Sequence, residues 1–165
     1  MKRVSPIICT IAILLLNACD KATEQSPNQP PVVDIEAAAQ AWNTADKTWD
    51  DLDLFQLEEG KRLYEGNCSA CHSTTGEGQQ SFGAPALKGS AIVKGPADVL
   101  INLVLDGRNS MPSFRSSLDA PTLAVILTYV RNAWGNNTDG IIETADVEAY
   151  LQTANQQAPN EELQP

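Results

Sequence analysis

Apolar residues return along this chain with a helical rhythm, and the gaps between the rhythmic stretches divide it. Ile35, Ala38, Ala39, Trp42, Ala45 and Trp49 recur at three, four and seven, which predicts one helical face across residues 34–49. Leu123, Ile126, Leu127 and Val130 keep the same period in a helix predicted from Ala120 to Trp134, with Pro121 near its start, where a missing N–H costs nothing. A further helix is predicted from Leu57 to Cys68, carrying Gly60 and Tyr64 one turn apart. A glycine inside a helix costs about 1 kcal/mol relative to alanine, so Gly60 implies that a second helix passes close by. In 136–155, Val147, Tyr150 and Leu151 share one face of a short helix. No βαβ pattern is present, and taken alone the helices of Gly60 and Leu123 yield only a two-helix crossing. The 34–49 face reads as an extra helix laid against the main domain, the alternative being a surface that docks a partner.

The polar stretches set the boundaries. Lys2 and Arg3 precede the uncharged apolar run Ile7 to Leu16, and residues 1–18 are predicted to be a signal peptide. Ten such residues rise only about 15 Å as a helix, half of a hydrocarbon core of about 30 Å, which disfavours a membrane span. Leu16-Asn17-Ala18-Cys19 resembles the lipobox of bacterial lipoproteins, which implies a lipid on Cys19 and an anchored, periplasmic product. Asp20 resembles the aspartate that retains enterobacterial lipoproteins at the inner membrane, so that membrane is favoured. Residues 19–33 are polar and proline-bearing and read as a flexible tether, reaching up to about 40 Å if extended. The remaining divisions are an amphipathic extension at 34–54, the main domain at 55–135 and an acidic extension at 136–165, a short helix and then a disordered tail.

Charge follows these divisions. Residues 20–59 hold two Lys against ten Asp or Glu, residues 60–135 hold seven Lys or Arg against five acids, and residues 136–165 are net −6. The near-neutral centre lacks the basic footprint that nucleic acid requires. The acidic ends read as solvated segments.

Candidate chemistry sits at the start of that centre. Cys68-Ser69-Ala70-Cys71-His72 is C-x-x-C-H, the attachment spacing of a c-type haem, in which two thiols bond the porphyrin and the histidine ligates iron. On a helical turn, positions three and four apart share a face, so Cys68, Cys71 and His72 can meet one macrocycle. A random ordering of four Cys and one His over 165 residues would produce the pattern in about one chain in two thousand. The competing readings are a thioredoxin-like redox pair, which wants a βαβ setting, and half of a zinc site, which wants further ligands that this chain supplies poorly. Cys9 leaves with the signal, Cys19 takes lipid, and Cys68 and Cys71 take haem, so no thiol remains for a disulfide.

The order Gly60-x-x-x-Tyr64, C-x-x-C-H, Ala84-Pro85-Ala86-Leu87, Met111-Pro112 and Ile126-Leu127-Thr128-Tyr129-Val130 resembles bacterial class I, mitochondrial-like cytochromes c over about residues 55–135. The resemblance implies an all-α, small cytochrome c fold, helices wrapped around one covalently bound haem c. It implies that Gly60 and Tyr64 meet the Ile126 to Val130 segment, that the Pro85 carbonyl accepts the other imidazole nitrogen of His72, and that Met111 is the sixth iron ligand. Taken alone, Met111 would read as a gap-filler in the core. The chain departs from the mitochondrial pattern in lacking a tryptophan between Lys88 and Arg108, where that group binds a propionate; Arg108 and Asn109 are left unassigned.

With His72 and Met111 on iron, the resemblance implies one-electron transfer rather than catalysis, since neither axial position is open. Partners would be a redox donor and acceptor, and the close variant is a dedicated subunit of a periplasmic dehydrogenase or terminal oxidase. The alternative of another class is a five-coordinate haem protein that binds ligands or reduces peroxide.

Overall fold

The computed structural model describes the backbone of residues 31–157 and the side chains of residues 31–152. The expected signal peptide, Cys19, most of the tether and the end of the acidic tail lie outside those residues. Among the described residues seven α-helices follow one another: α1 (Ile35–Trp42), α2 (Asp51–Asn67), α3 (Ser69–His72), α4 (Ala91–Lys94), α5 (Ala97–Asp106), α6 (Ala120–Asn132) and α7 (Thr144–Gln157). Two isolated bridges, Gln79 with Ala84 and Arg108 with Met111, are the only β pairings among the described residues. The fold of the described residues is all-α, as the resemblance implies, and none of its helices is long and apolar enough to cross a membrane.

The frame is the crossing of α2 on α6. Asp50 caps α2 by accepting from the Asp53 amide at 2.9 Å, and Asp119 caps α6 by accepting from Thr122 at 3.0 Å. Hydrogen bonding to Thr122, first from its side chain and then from its amide, holds the Asp119 carboxyl below the usual carboxylate range. Gly60 stands where the helices touch: a Cβ there would lie 2.1 Å from the Val125 carbonyl oxygen and 2.8 Å from Tyr129 Cβ. The backbones approach so closely that only hydrogen fits. Tyr64 packs on Tyr129 with ring centroids 5.4 Å apart, and Leu123, Ile126, Leu127 and Val130 turn into the same core.

The N-terminal region differs from the single helical face expected across 34–49. The helix ends at Trp42, because Asn43, Thr44 and Asp46 compete with helical hydrogen bonding through their side chains. Asn43 accepts from the Trp49 amide at 2.9 Å and Thr44 from the Lys47 amide at 3.1 Å, which builds a turn in place of the next helical turns. Most of that face is covered all the same: Ala38 and Trp49 are buried in one cluster with Leu54 and Leu57, and Ile35, Ala39 and Trp42 pack partly buried against it, while Ala45 is exposed. Trp42 meets the Tyr129 ring edge-on at 5.8 Å and donates to Glu58 at 2.7 Å. The extension is therefore laid against α2 and α6, and α2 starts earlier than Leu57, running unbroken across residue 55.

Behind α6 the chain turns back through Trp134, itself in the left-handed region (φ 55°), and Gly135 (φ 83°), so the reversal begins one residue before the glycine. The C-terminal extension is then fastened by polar side chains of α6. Thr128 Oγ1 accepts from the Ile142 amide, and Asn132 donates to the Gly140 carbonyl, each at 2.9 Å. Val147 of α7 is fully buried, with Tyr150 and Leu151 packed beside it.

Candidate haem site

Helix α2 delivers Cys68. Its amide donates to the Tyr64 carbonyl at 2.8 Å, and its own carbonyl accepts from His72 at 2.9 Å, so one helical turn carries Cys68, Cys71 and His72 together. Both cysteines are free thiols. Cys68 is half-buried, and that burial together with the neighbouring Cys71 pushes its thiol up to about 11. Cys71 is exposed, while His72 is only 8% accessible.

His72 is oriented from outside its helix. Its Nδ1 lies 3.0 Å from the Pro85 carbonyl oxygen, a spacing that makes a hydrogen bond only when Nδ1 carries the proton. Nε2 then keeps the lone pair that a metal would take. Such a bond fixes the ring and raises its basicity as a ligand. Pro85 stands at the end of a loop closed by Gln79 and Ala84, whose reciprocal amide bonds measure 3.0 and 3.1 Å.

Met111 comes from the opposite part of the sequence and reaches the same cavity. Arg108 and Met111 exchange backbone bonds of 3.1 and 2.9 Å, with Asn109 left-handed between them (φ 55°). Gly107 (φ 73°) precedes this turn, and a Cβ on it would lie 2.6 Å from the Met111 carbonyl oxygen. The tight turn thus depends on glycine at its root.

These parts surround one cavity of about 410 Å³, within the range of cofactor sites. Cys68, Cys71, His72, Pro85 and Met111 all line it, and α5 and α6 supply its apolar walls through Leu100, Ile126, Leu127 and Val130. Two thiols, a nearly buried imidazole and a thioether in an otherwise apolar space suit a flat apolar macrocycle with a metal at its centre. No group of three or more His, Cys, Asp or Glu among the described residues is arranged to hold a bare metal ion, and no strand accompanies the C-x-x-C pair.

Several lining residues escaped the sequence reading. Phe82 lies at the cavity with 55% of its surface exposed, and Tyr64, read only as a crossing residue, lines it while donating its hydroxyl to the Ser73 carbonyl at 2.6 Å. Arg108 and Asn109, left unassigned from sequence, line it too. Phe82 is an isolated aromatic in a polar loop, and no period marks it.

Residues 55–130 match the family described as cytochrome C oxidase, cbb3-type, subunit III. Among similar proteins, the cytochrome c subunit of a quinone alcohol dehydrogenase from Gluconobacter oxydans is 27% identical over 109 residues, which is 59% of this chain and 23% of that protein. The cbb3-type oxidase subunit CcoP of Azospirillum sp. is 33% identical over 90 residues, 50% of this chain and 30% of the relative. The oxidase subunit FixP of Bradyrhizobium diazoefficiens is 31% identical over 83 residues, 49% of this chain and 29% of the relative. The chain spans less than a third of the length of each of these three relatives. The stretch that matches that family, residues 55–130, lies within a small all-α fold.

Proposed function

We propose that this chain is a one-electron carrier with a single haem c, joined through Cys68 and Cys71 and ligated by His72 and Met111. The observation that carries the reading is the convergence of both thiols, the imidazole and the thioether on one apolar cavity. Haem c bound there supplies a one-electron couple, poised toward the ferrous state by thioether ligation and burial. The residues of this chain do the rest. Pro85 holds the His72 ring, the Arg108–Met111 turn holds the thioether, and the α5 and α6 walls exclude water. With both axial positions filled, the protein acts as a carrier rather than a catalyst, and a partner meets the porphyrin edge in a small, weak contact.

The wider setting belongs to the same proposal. Lipidation of Cys19 anchors the protein to a bacterial membrane, the inner one favoured, and residues 19–33 let the domain stand off on its periplasmic side. The named relatives are subunits of a quinone alcohol dehydrogenase and of cbb3-type oxidases, which favours service as a dedicated subunit of a membrane dehydrogenase or oxidase. A stable stoichiometric complex on purification from native membranes supports the dedicated subunit, and its absence supports a shuttling carrier.

Expression in cells competent for cytochrome maturation tests the core of the proposal. The expected product is coloured, carries one haem by mass, and shows a low-spin spectrum with the weak near-infrared sulfur-to-iron band. Met111→Ala is expected to abolish that band and lower the midpoint potential. Colourless protein overturns the haem assignment, and high-spin wild-type protein that binds carbon monoxide readily favours a five-coordinate haem.

A further inference from the structure

Resting on the reading of His72 as the iron ligand, we infer that Asn136 is a positioning residue for that ligand, acting from the far side of the fold through the loop that carries Pro85. The imidazole has one orienting contact, the Pro85 carbonyl at 3.0 Å. Proline has no N–H of its own to anchor that carbonyl, and residues 84–90 belong to no helix or strand. Whatever holds this loop therefore sets where the His72 ring points.

Asn136 supplies that hold with its whole side-chain amide. Its Oδ1 accepts from the Gly89 amide at 2.7 Å, while its Nδ2 donates to the Leu87 carbonyl at 3.2 Å and to the Val130 carbonyl of α6 at 2.9 Å. The residue is 2% exposed, and 47 and 49 positions separate it from its two loop partners. A buried amide with all three bonds made is costly to disturb, because each partner left behind is a buried polar group without water. The same chain reversal grips the neighbouring strand of the loop. Trp134 donates its indole N–H to the Thr74 carbonyl at 3.1 Å, and its ring lies where a Cβ on Gly76 would sit, 2.5 Å away. The Gly76 carbonyl in turn accepts from Leu87 and Lys88 at 2.8 and 2.9 Å. The left-handed backbone at Trp134 and Gly135 is what lets adjacent residues seize both sides of the loop, an example of strain held where placement matters.

The fold contains a matched control. Asn132, four residues earlier and 5% exposed, is bonded in a similar way: it donates to the Thr128 and Gly140 carbonyls and accepts from the Asp139 amide, each at 2.9 Å, and accepts a longer bond from the Thr138 hydroxyl at 3.5 Å. Its bonds fasten the C-terminal extension and touch no part of the Pro85 loop. Asn136→Ala and Asn132→Ala should therefore lose similar stability and differ in what happens at His72.

The experiment uses the mature holoprotein of each variant, with haem content, melting temperature, midpoint potential and solvent exchange of the His72 ring N–H measured together, the last by proton NMR of the reduced form. For Asn136→Ala the ring proton is expected to exchange faster by about tenfold or more, and the potential to shift upward as the imidazole loses basicity. For Asn132→Ala both readouts should stay at wild-type values while the melting temperature falls. Wild-type exchange and potential in haem-loaded Asn136→Ala overturn the inference, as do equal changes in the two variants. Should Asn136→Ala fail to accumulate, Asn136→Asp keeps the acceptor for Gly89 while losing both donors, and carries the same expectations. Wild-type protein that takes up no haem refutes the proposed function instead.

Discussion

The α2–α6 crossing and the loops that frame the cavity keep their shapes by different means. At the crossing, interdigitated side chains and a glycine leave no space, and Tyr64, Tyr129, Trp42 and Trp134 meet ring to ring at 5.1 to 5.8 Å. Such pairs contribute about 0.5–1.5 kcal/mol each beyond the area they bury. Around the cavity, residues 73–90 and 107–113 are irregular apart from one short 3₁₀ turn and the two isolated bridges, and individual hydrogen bonds set their positions: Tyr64 to Ser73, Ser110 to Phe82 at 3.0 Å, Ser113 to Leu105 at 2.6 Å. One region is over-determined by packing; the other is defined contact by contact. Damage to the first should appear as lost stability, and damage to the second as altered chemistry in a protein that still folds.

The largest test of that contrast removes the two thiols proposed to attach haem. With Cys68→Ala and Cys71→Ala the cavity of about 410 Å³ would stay open inside a small domain. Water would enter from its open side and leave the apolar walls of α5 and α6 without cover, a loss that is large beside the entire stability of a small domain. The double variant is expected to lose its cooperative melt, and a sharp transition in calorimetry would show that the helix crossing stands alone. Next in size, Gly60→Ala forces a methyl group into the Val125 carbonyl and should cost about 3 kcal/mol in denaturant titration of the holoprotein. Its haem spectrum should be unchanged wherever the protein remains folded.

The smallest effect concerns the α6 cap. Asp119→Ala should cost about 1 kcal/mol at neutral pH, read from chemical denaturation. Because the folded-state pKa is depressed, the charged cap stabilises fully above the unfolded value of about 3.9 and loses that contribution as pH falls through the lower, folded value. Asp119→Asn keeps a capping oxygen and should lose only this acid-dependent part, so its stability between pH 5 and pH 2 falls less steeply than that of the wild type.

Sequence and structure agree most closely where a local rule governs. The period of Leu123, Ile126, Leu127 and Val130 places α6, the cost of glycine inside a helix points to the close approach at Gly60, and the C-x-x-C-H spacing puts three side chains on one turn. The break after Trp42 was obscured because Ala45 and Trp49 continue the apolar rhythm through a segment that Asn43 and Thr44 turn out of the helix. Phe82 and Asn136 gave no signal, since the first depends on where an irregular loop is laid and the second on carbonyls and amides more than forty residues away. Side chains that bond distant backbone leave no periodic trace in the chain that carries them.

Helix α2 is one uninterrupted rod from Asp51 to Asn67, about 25 Å long at 1.5 Å per residue. A rod has phase as well as length. Each residue added to or removed from it rotates everything beyond by about 100°, so a single insertion before Cys68 would swing the two thiols off the cavity while leaving every motif legible. An extra residue in the turn at residues 43–50, ahead of the rod, would leave that phase untouched.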